Sequence, residues 1–239
     1  MKNLGVNIDH VATVRNARGE NHPYPYVIAK YAMSCGANSI TIHLREDRRH
    51  INIKDLKLIS SFKKIPLNLE IAPTSKMLKF ALRFKPNYVC LVPEKRKEIT
   101  TEGGLNLKKN INKLKHTIKV LNNSNIRTSL FINPSIRNIK LAKKIGTNCI
   151  EFHTGKIANL VKKKINYKKE FISIKNCAKY AKSINLEVHA GHGLDYKTTK
   201  ILNKIKEIKE YNIGHFIIGE SIIYGLRKVI KIFKKILKK

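Results

Sequence analysis

The stretch Ser39–Ile51, SITIHLREDRRHI, holds the densest set of groups able to do chemistry. Ile40, Ile42 and Leu44 alternate with Thr41, His43 and Arg45, which predicts a strand with one apolar and one polar face. His43 and Arg45 then share a face at the strand end, and Arg48, Arg49 and His50 follow at once. Guanidinium forks match phosphate oxygens in pairs, and imidazole exchanges protons near neutral pH. Together these groups suit a small anionic substrate. Glu46 and Asp47 lie between the arginines, so a solvated turn with internal ion pairs is the alternative reading.

The elements that must position these groups recur along the chain. Apolar alternation predicts strands at Leu4–Asp9, Ser39–Arg45, Pro66–Ile71, Tyr88–Val92, Arg127–Ile132, Asn148–His153, Leu186–Ala190 and Ile213–Ile218. Helices are predicted between them, near Tyr26–Ser34, Ile53–Phe62, Lys76–Phe84, Leu107–Leu121, Ser135–Lys144, Ile172–Ser183 and Tyr196–Lys209, with a last one at Ser221–Leu237. Residues 11–25 read as a loop, and a short extra helix or turn is expected before Lys169. Pro93–Asn106 has no apolar period and ends in Gly103–Gly104, the pattern of a long loop that serves as a lid. Strands alternating with helices, without hairpin signals, predict parallel pairing. Eight such units define the expected fold: α/β, a (β/α)8 TIM barrel with extra short helices, residues 1–239 forming a single domain. An open doubly wound sheet is second choice, for no GxGxxG follows the first strand.

In this barrel the aliphatic parity of several strands faces the helices. Asn7, Asp9, His43, Arg45, Glu70, Glu151 and His153 are then left pointing inward near the strand C-terminal ends, where barrel active sites lie. His10, His189, His192 and His215 are placed at or just past strand ends. One such histidine alone would be a packing residue, but ionisable groups from so many strands at one rim are costly unless they have a task. Anion binding has two expected places. One is the Arg45–His50 loop; the other joins Ala190–Leu194, AGHGL, and Ile217–Ser221, IIGES, where glycines and a helix start let backbone N–H groups approach an anion. Two such places imply one substrate with two phosphates or two phosphorylated substrates. A metal-dependent TIM-barrel hydrolase or nuclease is the rival, with His43, His153, His189, Glu70 and Glu151 as ligands. No HxH or HExxH pair supports it.

Bulk properties narrow the classes further. The net charge is +33, mostly from lysine spread along the chain among abundant isoleucine and asparagine. Those residues share A/T-rich codons, so nucleic acid is not the expected partner. No apolar run reaches the roughly 20 residues of a membrane span, and no membrane partner is expected. The basic apolar stripe of the last helix, with Val229, Ile230, Ile232, Phe233, Ile236 and Leu237, is read as a face buried against the barrel. The start, MKNLGVNIDH, has no secretory core. Cys35, Cys90, Cys149 and Cys177 are scattered, with no CxxC pair, which fits a reducing, cytoplasmic setting.

Gly5–Gly19 (GVNIDHVATVRNARG), Thr41–Ile51 (TIHLREDRRHI), Asn68–Ala72 (NLEIA), Leu91–Arg96 (LVPEKR), Thr100–Leu105 (TTEGGL), Glu151–Gly155 (EFHTG), AGHGL and Asn212–His215 (NIGH) closely resemble the pyridoxine 5′-phosphate synthase family. These matches run in order through most of the chain. The resemblance implies a homo-octamer of (β/α)8 barrels. It implies condensation of 1-deoxy-D-xylulose 5-phosphate with 3-amino-2-oxopropyl phosphate, releasing phosphate and water, with no metal and no organic cofactor. By matching motif, His43 and Glu70 are the proton acceptors and His192 the proton donor. Asn7, Arg18, Gly193, Gly214 and His215 are expected to hold the aminoketone phosphate. Asp9, His10, Arg45, His50 and Thr100 are expected to hold the deoxyxylulose phosphate. The chain departs from the family pattern at Glu220, where Arg is common, and at His189, where Asn is common. A Glu beside a phosphate would repel it, so the Glu220 side chain is expected to face away.

Overall fold

The computed structural model describes residues 1–94, 103–109 and 111–238. Its strands are β1 (Asn3–Asn7), β2 (Ser39–His43), β3 (Leu67–Ile71), β4 (Tyr88–Leu91), β5 (Arg127–Ile132), β6 (Cys149–His153), β7 (Glu187–Gly191) and β8 (Ile208–Ile213). They pair in parallel in chain order, and β8 returns to β1 to close the barrel. The helices are α1 (Asp9–Arg18), α2 (Pro25–Ser34), α3 (Ile53–Ser61), α4 (Ser75–Phe84), α5 (Ile111–Asn123), α6 (Ile136–Ile145), α7 (Gly155–Lys162), α8 (Lys168–Ser183), α9 (Tyr196–Leu202), α10 (His215–Tyr224) and α11 (Leu226–Lys238). This is the (β/α)8 architecture, with α1, α7 and α10 as additional short helices directly after β1, β6 and β8.

Two residue sets alternate along the strands, and only one is greasy. Leu4, Val6, Ile40, Ile42, Leu67, Leu69, Ile150 and Phe152 are fully or almost fully buried in the main core with the helices. The opposite parity fills the barrel. Register places Thr41 beside Asn68, His43 beside Glu70, Glu70 beside Cys90, Glu151 beside His189 and Gly191 beside Asn212. Most (β/α)8 interiors are layered with branched aliphatics; here Cys90, Val92 and Phe131 form a small separate apolar cluster. The remaining interior is lined with groups that hydrogen-bond and titrate.

Several stretches differ from the sequence expectation: the helix expected at Tyr196–Lys209 ends at Leu202, the one expected at Ser221–Leu237 is divided at Gly225 between α10 and α11, and two further stretches change type. Residues 11–25 read as loop, yet α1 begins at Asp9 and ends on Gly19, whose φ of 73° supplies the left-handed cap. The eighth strand, expected at Ile213–Ile218, lies at Ile208–Ile213. The apolar run after it opens α10. The cause is the same polar interior: Glu210 and Asn212 point inward and hide the strand from an apolar count. Ile217–Ser221 therefore lies within α10 and forms no strand end. In α11, Val229, Ile230, Phe233 and Leu237 are buried, so the stripe of this basic helix faces the protein. No described helix is long and apolar enough to cross a membrane.

Candidate active site

The β1–α1 corner is built by a short hydrogen-bonded chain. The Asp9 N–H donates to Asn7 Oδ1 at 2.9 Å, and Asn7 Nδ2 donates to Asp9 Oδ2 at 2.8 Å. The other Asp9 oxygen accepts the His43 backbone N–H at 2.8 Å, which ties β1 to the end of β2. His50 Nδ1 accepts the Ile51 N–H at 2.9 Å and lies 3.9 Å from Asp9. The His50 ring is 5.8 Å from that of His43, and the His10 ring is 5.0 Å from that of His215. Burial lowers the affinity of His10 and His50 for a proton, and Asp9 only partly restores it.

The loop carrying His50 is anchored from below. Asn52 and Asp55 form a reciprocal capping box at the start of α3. Asp55 also takes both Arg15 guanidinium nitrogens, at 2.6 and 2.9 Å, in a buried bidentate pair. Arg15 reaches the His50 carbonyl as well. Arg48 turns away from the mouth, over the Phe80 ring and beside Met77. Arg49 pairs with Asp47 at 2.7 Å. The internal-pair reading holds for Arg49; Arg48 instead packs on an aromatic ring and a thioether and donates to the Arg45 carbonyl. Arg45 stays buried, 3.3 Å from Asp47 and 3.9 Å from Glu94.

Glu94, which the sequence pattern does not single out, accepts the Glu46 N–H at 2.7 Å and faces His43 Nε2 at 3.7 Å. Burial would raise its pKa, but His43, the Glu46 amide and Arg45 outweigh burial and keep it low. Glu70 stands next to His43 across the β2–β3 register. It remains partly accessible, yet its carboxyl lies deep in the barrel. Burial, then Glu151 and Asp9, push its pKa well above the ordinary carboxylate range. Glu151 accepts Asn212 Nδ2 at 2.7 Å. Burial raises Glu151 to about 7, against the partial offset of His189 and Asn212. Gly191 makes room for it: a Cβ there would overlap Glu151 Oε1.

His192 lies between two glycines with φ of 75°, a left-handed conformation that costs a non-glycine residue about 1 kcal/mol. The Thr154 hydroxyl, 2.8 Å from the Gly191 carbonyl and 2.7 Å from that of His192, fastens this turn to the end of β6. The His192 ring packs 4.8 Å from His153. Burial lowers the pKa of both, to about 4 for His153, with His192 adding to that shift and Lys162 to the shift of His192. Gly193, with φ of 77°, continues the turn, and Gly214 caps α10 against the Asn7 side chain. The N-termini of α7 and α10 follow β6 and β8 directly, so their N–H groups lie at the same rim.

Asn7, Asp9, His10, His43, Arg45, His50, Glu70, His192, Gly193, Gly214 and His215 thus sit at or directly beyond the C-terminal ends of five strands. Arg18 does not join them. It is exposed in the last turn of α1, roughly 13 Å along the helix from Asp9. Thr100, like most of the expected lid, lies outside the described residues. His189, expected at a strand end, sits inside β7, its Nε2 bonded to Glu187 at 2.8 Å, toward the other end of the barrel. Glu220 lies in α10 and acts on Tyr196 of α9.

A closed parallel barrel with carboxyls, imidazoles and a guanidinium gathered at its C-terminal mouth belongs to the (β/α)8 enzymes of acid–base chemistry. Residues 4–239 match the family model of the pyridoxal phosphate biosynthesis protein PdxJ, and the chain belongs to that family. A pyridoxine 5′-phosphate synthase of Pelagibacter ubique is 59% identical over 239 residues, which span 100% of both chains. One of Zymomonas mobilis is 52% identical over 228 residues, 95% of this chain and 88% of the relative. Among solved structures, KGPDC from Streptococcus mutans aligns with a TM-score of 0.66 at 12% identity, covering 100% of this chain and 98% of that one. The 3-keto-L-gulonate-6-phosphate decarboxylase from Vibrio cholerae gives 0.65 at 11%, covering 100% and 98%. Identities this low speak for the fold alone.

Proposed function

We propose that this chain is a pyridoxine 5′-phosphate synthase. It condenses 1-deoxy-D-xylulose 5-phosphate with 3-amino-2-oxopropyl phosphate and releases phosphate and water. The observation that carries the reading is the end-to-end match to relatives of that name, 59% identical in the first case. The mouth supplies chemistry of the right kind. Amine addition to a ketone, dehydration, phosphate elimination and ring closure are a series of proton transfers.

In this proposal His43 and Glu70 accept protons. Burial raises the pKa of the Glu70 carboxyl, which makes its carboxylate a stronger base than an exposed one. His192 donates; burial lowers its pKa, so the protonated ring is a strong donor. Asp9, His10, Arg45, His50 and Thr100 are assigned to the deoxyxylulose phosphate. Asn7, Gly193, Gly214 and His215 are assigned to the aminoketone phosphate, with the start of α10 turned to its phosphate; the same role for Arg18, exposed at the far end of α1, requires that it reach the mouth of a neighbouring copy in the proposed octamer. The chain acts as a single barrel domain without a metal or organic cofactor in the reaction. Cytoplasmic residence and assembly as a homo-octamer complete the proposal. Ile222, Ile223 and Tyr224, exposed by 81%, 71% and 49%, offer an apolar patch for such self-association.

The test is to mix the protein with both phosphorylated substrates in the presence of a chelator. Pyridoxine 5′-phosphate and inorganic phosphate should form together. Phosphate release without the pyridine product would overturn the assignment.

A further inference from the structure

The polar interior does not stop at the mouth. At the opposite end of the barrel, the first residues of β6 and β7 are Cys149 and Glu187, and His189 follows two positions on. One donor atom from each, a sulfur, a ring nitrogen and a carboxylate oxygen, lies within 4.8 Å of the other two. Cys149 is buried, and its Sγ meets the Ile150 carbonyl, at 3.5 Å, and the His189 ring. Glu187 Oε1 takes both His189 Nε2 and Arg127, at 2.8 and 2.9 Å, so both bonds fall on one carboxylate oxygen. Glu210 on β8 reaches within 3.8 Å of His189 Nδ1. A polar cavity of about 60 Å³ opens among these residues, large enough for an ion and one water.

The geometry points to a divalent transition-metal site formed by Cys149, Glu187 and His189, with a water in the adjoining cavity as the fourth donor and Glu210 as a nearby compensating charge. Donors around a tetrahedral zinc lie roughly 3.5 Å apart, so side-chain shifts of about 1 Å close the set. A thiolate beside an imidazole selects Zn2+ or Co2+ over Mg2+ and Ca2+. The charges match the ion: Cys149 thiolate, Glu187 and Glu210 bring three negative charges, and Arg127 and Zn2+ bring three positive ones. A thiolate ligand has to give up its proton, so metal binding strengthens as pH rises. The ion would fasten β6 to β7 at the end remote from the chemistry, so its effect is on stability.

The test adds CoCl2 to purified wild-type protein. One Co2+ per chain should bind, with a thiolate-to-cobalt charge-transfer band in the near ultraviolet that Zn2+ abolishes by displacement. Cys149→Ser should lose the band, and His189→Asn should weaken binding at least about tenfold. Zn2+ should raise the thermal midpoint of the wild type and leave that of Cys149→Ser unmoved. Absence of the band at saturating Co2+ in the wild type overturns the proposal, as does an undiminished band in Cys149→Ser. If Cys149→Ser fails to fold, the wild-type spectrum and His189→Asn decide. None of these readouts uses turnover, so the outcome is separate from that of the proposed synthase activity.

Discussion

The Glu94 carboxylate faces His43 Nε2 at 3.7 Å, and both facing atoms are buried with no hydrogen bond among the described residues. The gap is too long for a hydrogen bond and too short to admit a water between them. A shift of about 1 Å as substrate fills the mouth would close it and stabilise the imidazolium that forms when His43 takes a proton. Glu94→Gln keeps the shape and removes the charge. It should lower turnover by about one to two orders of magnitude, with KM changed far less. Steady-state kinetics across pH check this; an unchanged kcat would detach Glu94 from the reaction.

Glu70→Gln should leave the fold and substrate binding intact while cutting turnover at least about a hundredfold. Calorimetric titration with each substrate and a turnover assay separate the two effects. Near-normal turnover would remove Glu70 from the mechanism.

The carboxyl of Glu151 gives a pH signature in stability. Its folded pKa of about 7 lies above the ordinary value of 4.5, so between those values the folded state holds more protons than the unfolded one. Stability from this group is therefore fully present below about 4.5 and is lost as pH rises through 7. Glu151→Gln should flatten that decline. Thermal midpoints of both proteins at mildly acidic to mildly basic pH check it; parallel curves would refute the shift.

Gly191→Ala forces a Cβ into the space of Glu151 Oε1. The carboxyl must leave its bond with Asn212, so activity should fall sharply. The protein should lose about 1–3 kcal/mol of stability, as overpacked interiors do. Denaturant melts alongside turnover measure both.

The Arg15–Asp55 pair is buried, and removing one partner strands a charge. Arg15→Leu should cost about 3–5 kcal/mol and should loosen the loop that carries His50. Chemical denaturation gives the first effect, and a raised KM for the deoxyxylulose phosphate gives the second.

Much of this molecule is legible in its residues because period-2 alternation marks strands whichever face is apolar. That pattern alone places His43, Glu70 and Glu151 inward. The same pattern fails at Ile208–Ile213, where Glu210 and Asn212 interrupt the apolar count and the richer run of α10 draws the eye past the strand. α1 escapes notice because its apolar residues are few and its start is weakly marked: Ile8 makes no side-chain cap. Glu94 stays hidden because its partners, His43 and Arg45, are some fifty residues away in sequence and adjoin it only across the barrel rim. The lower cluster of Cys149, Glu187 and His189 is silent for a related reason: donors spread over two strands have no spacing signature. Arg48 and Arg49 share the composition of Arg45, and only coordinates distinguish the one that is buried.

Several glycines of this barrel are volumes lent to a neighbour. The side-chain space of Gly5 is filled by Asn212, that of Gly191 by Glu151, and that of Gly214 by Asn7. Each pair is thus a single heritable trait written at two distant codons. A larger residue can enter at one codon only in a lineage where the other has already shrunk. Drift along this gene should move such positions in step or leave them still, which makes the inner wall far slower to diversify than the lysine-covered exterior.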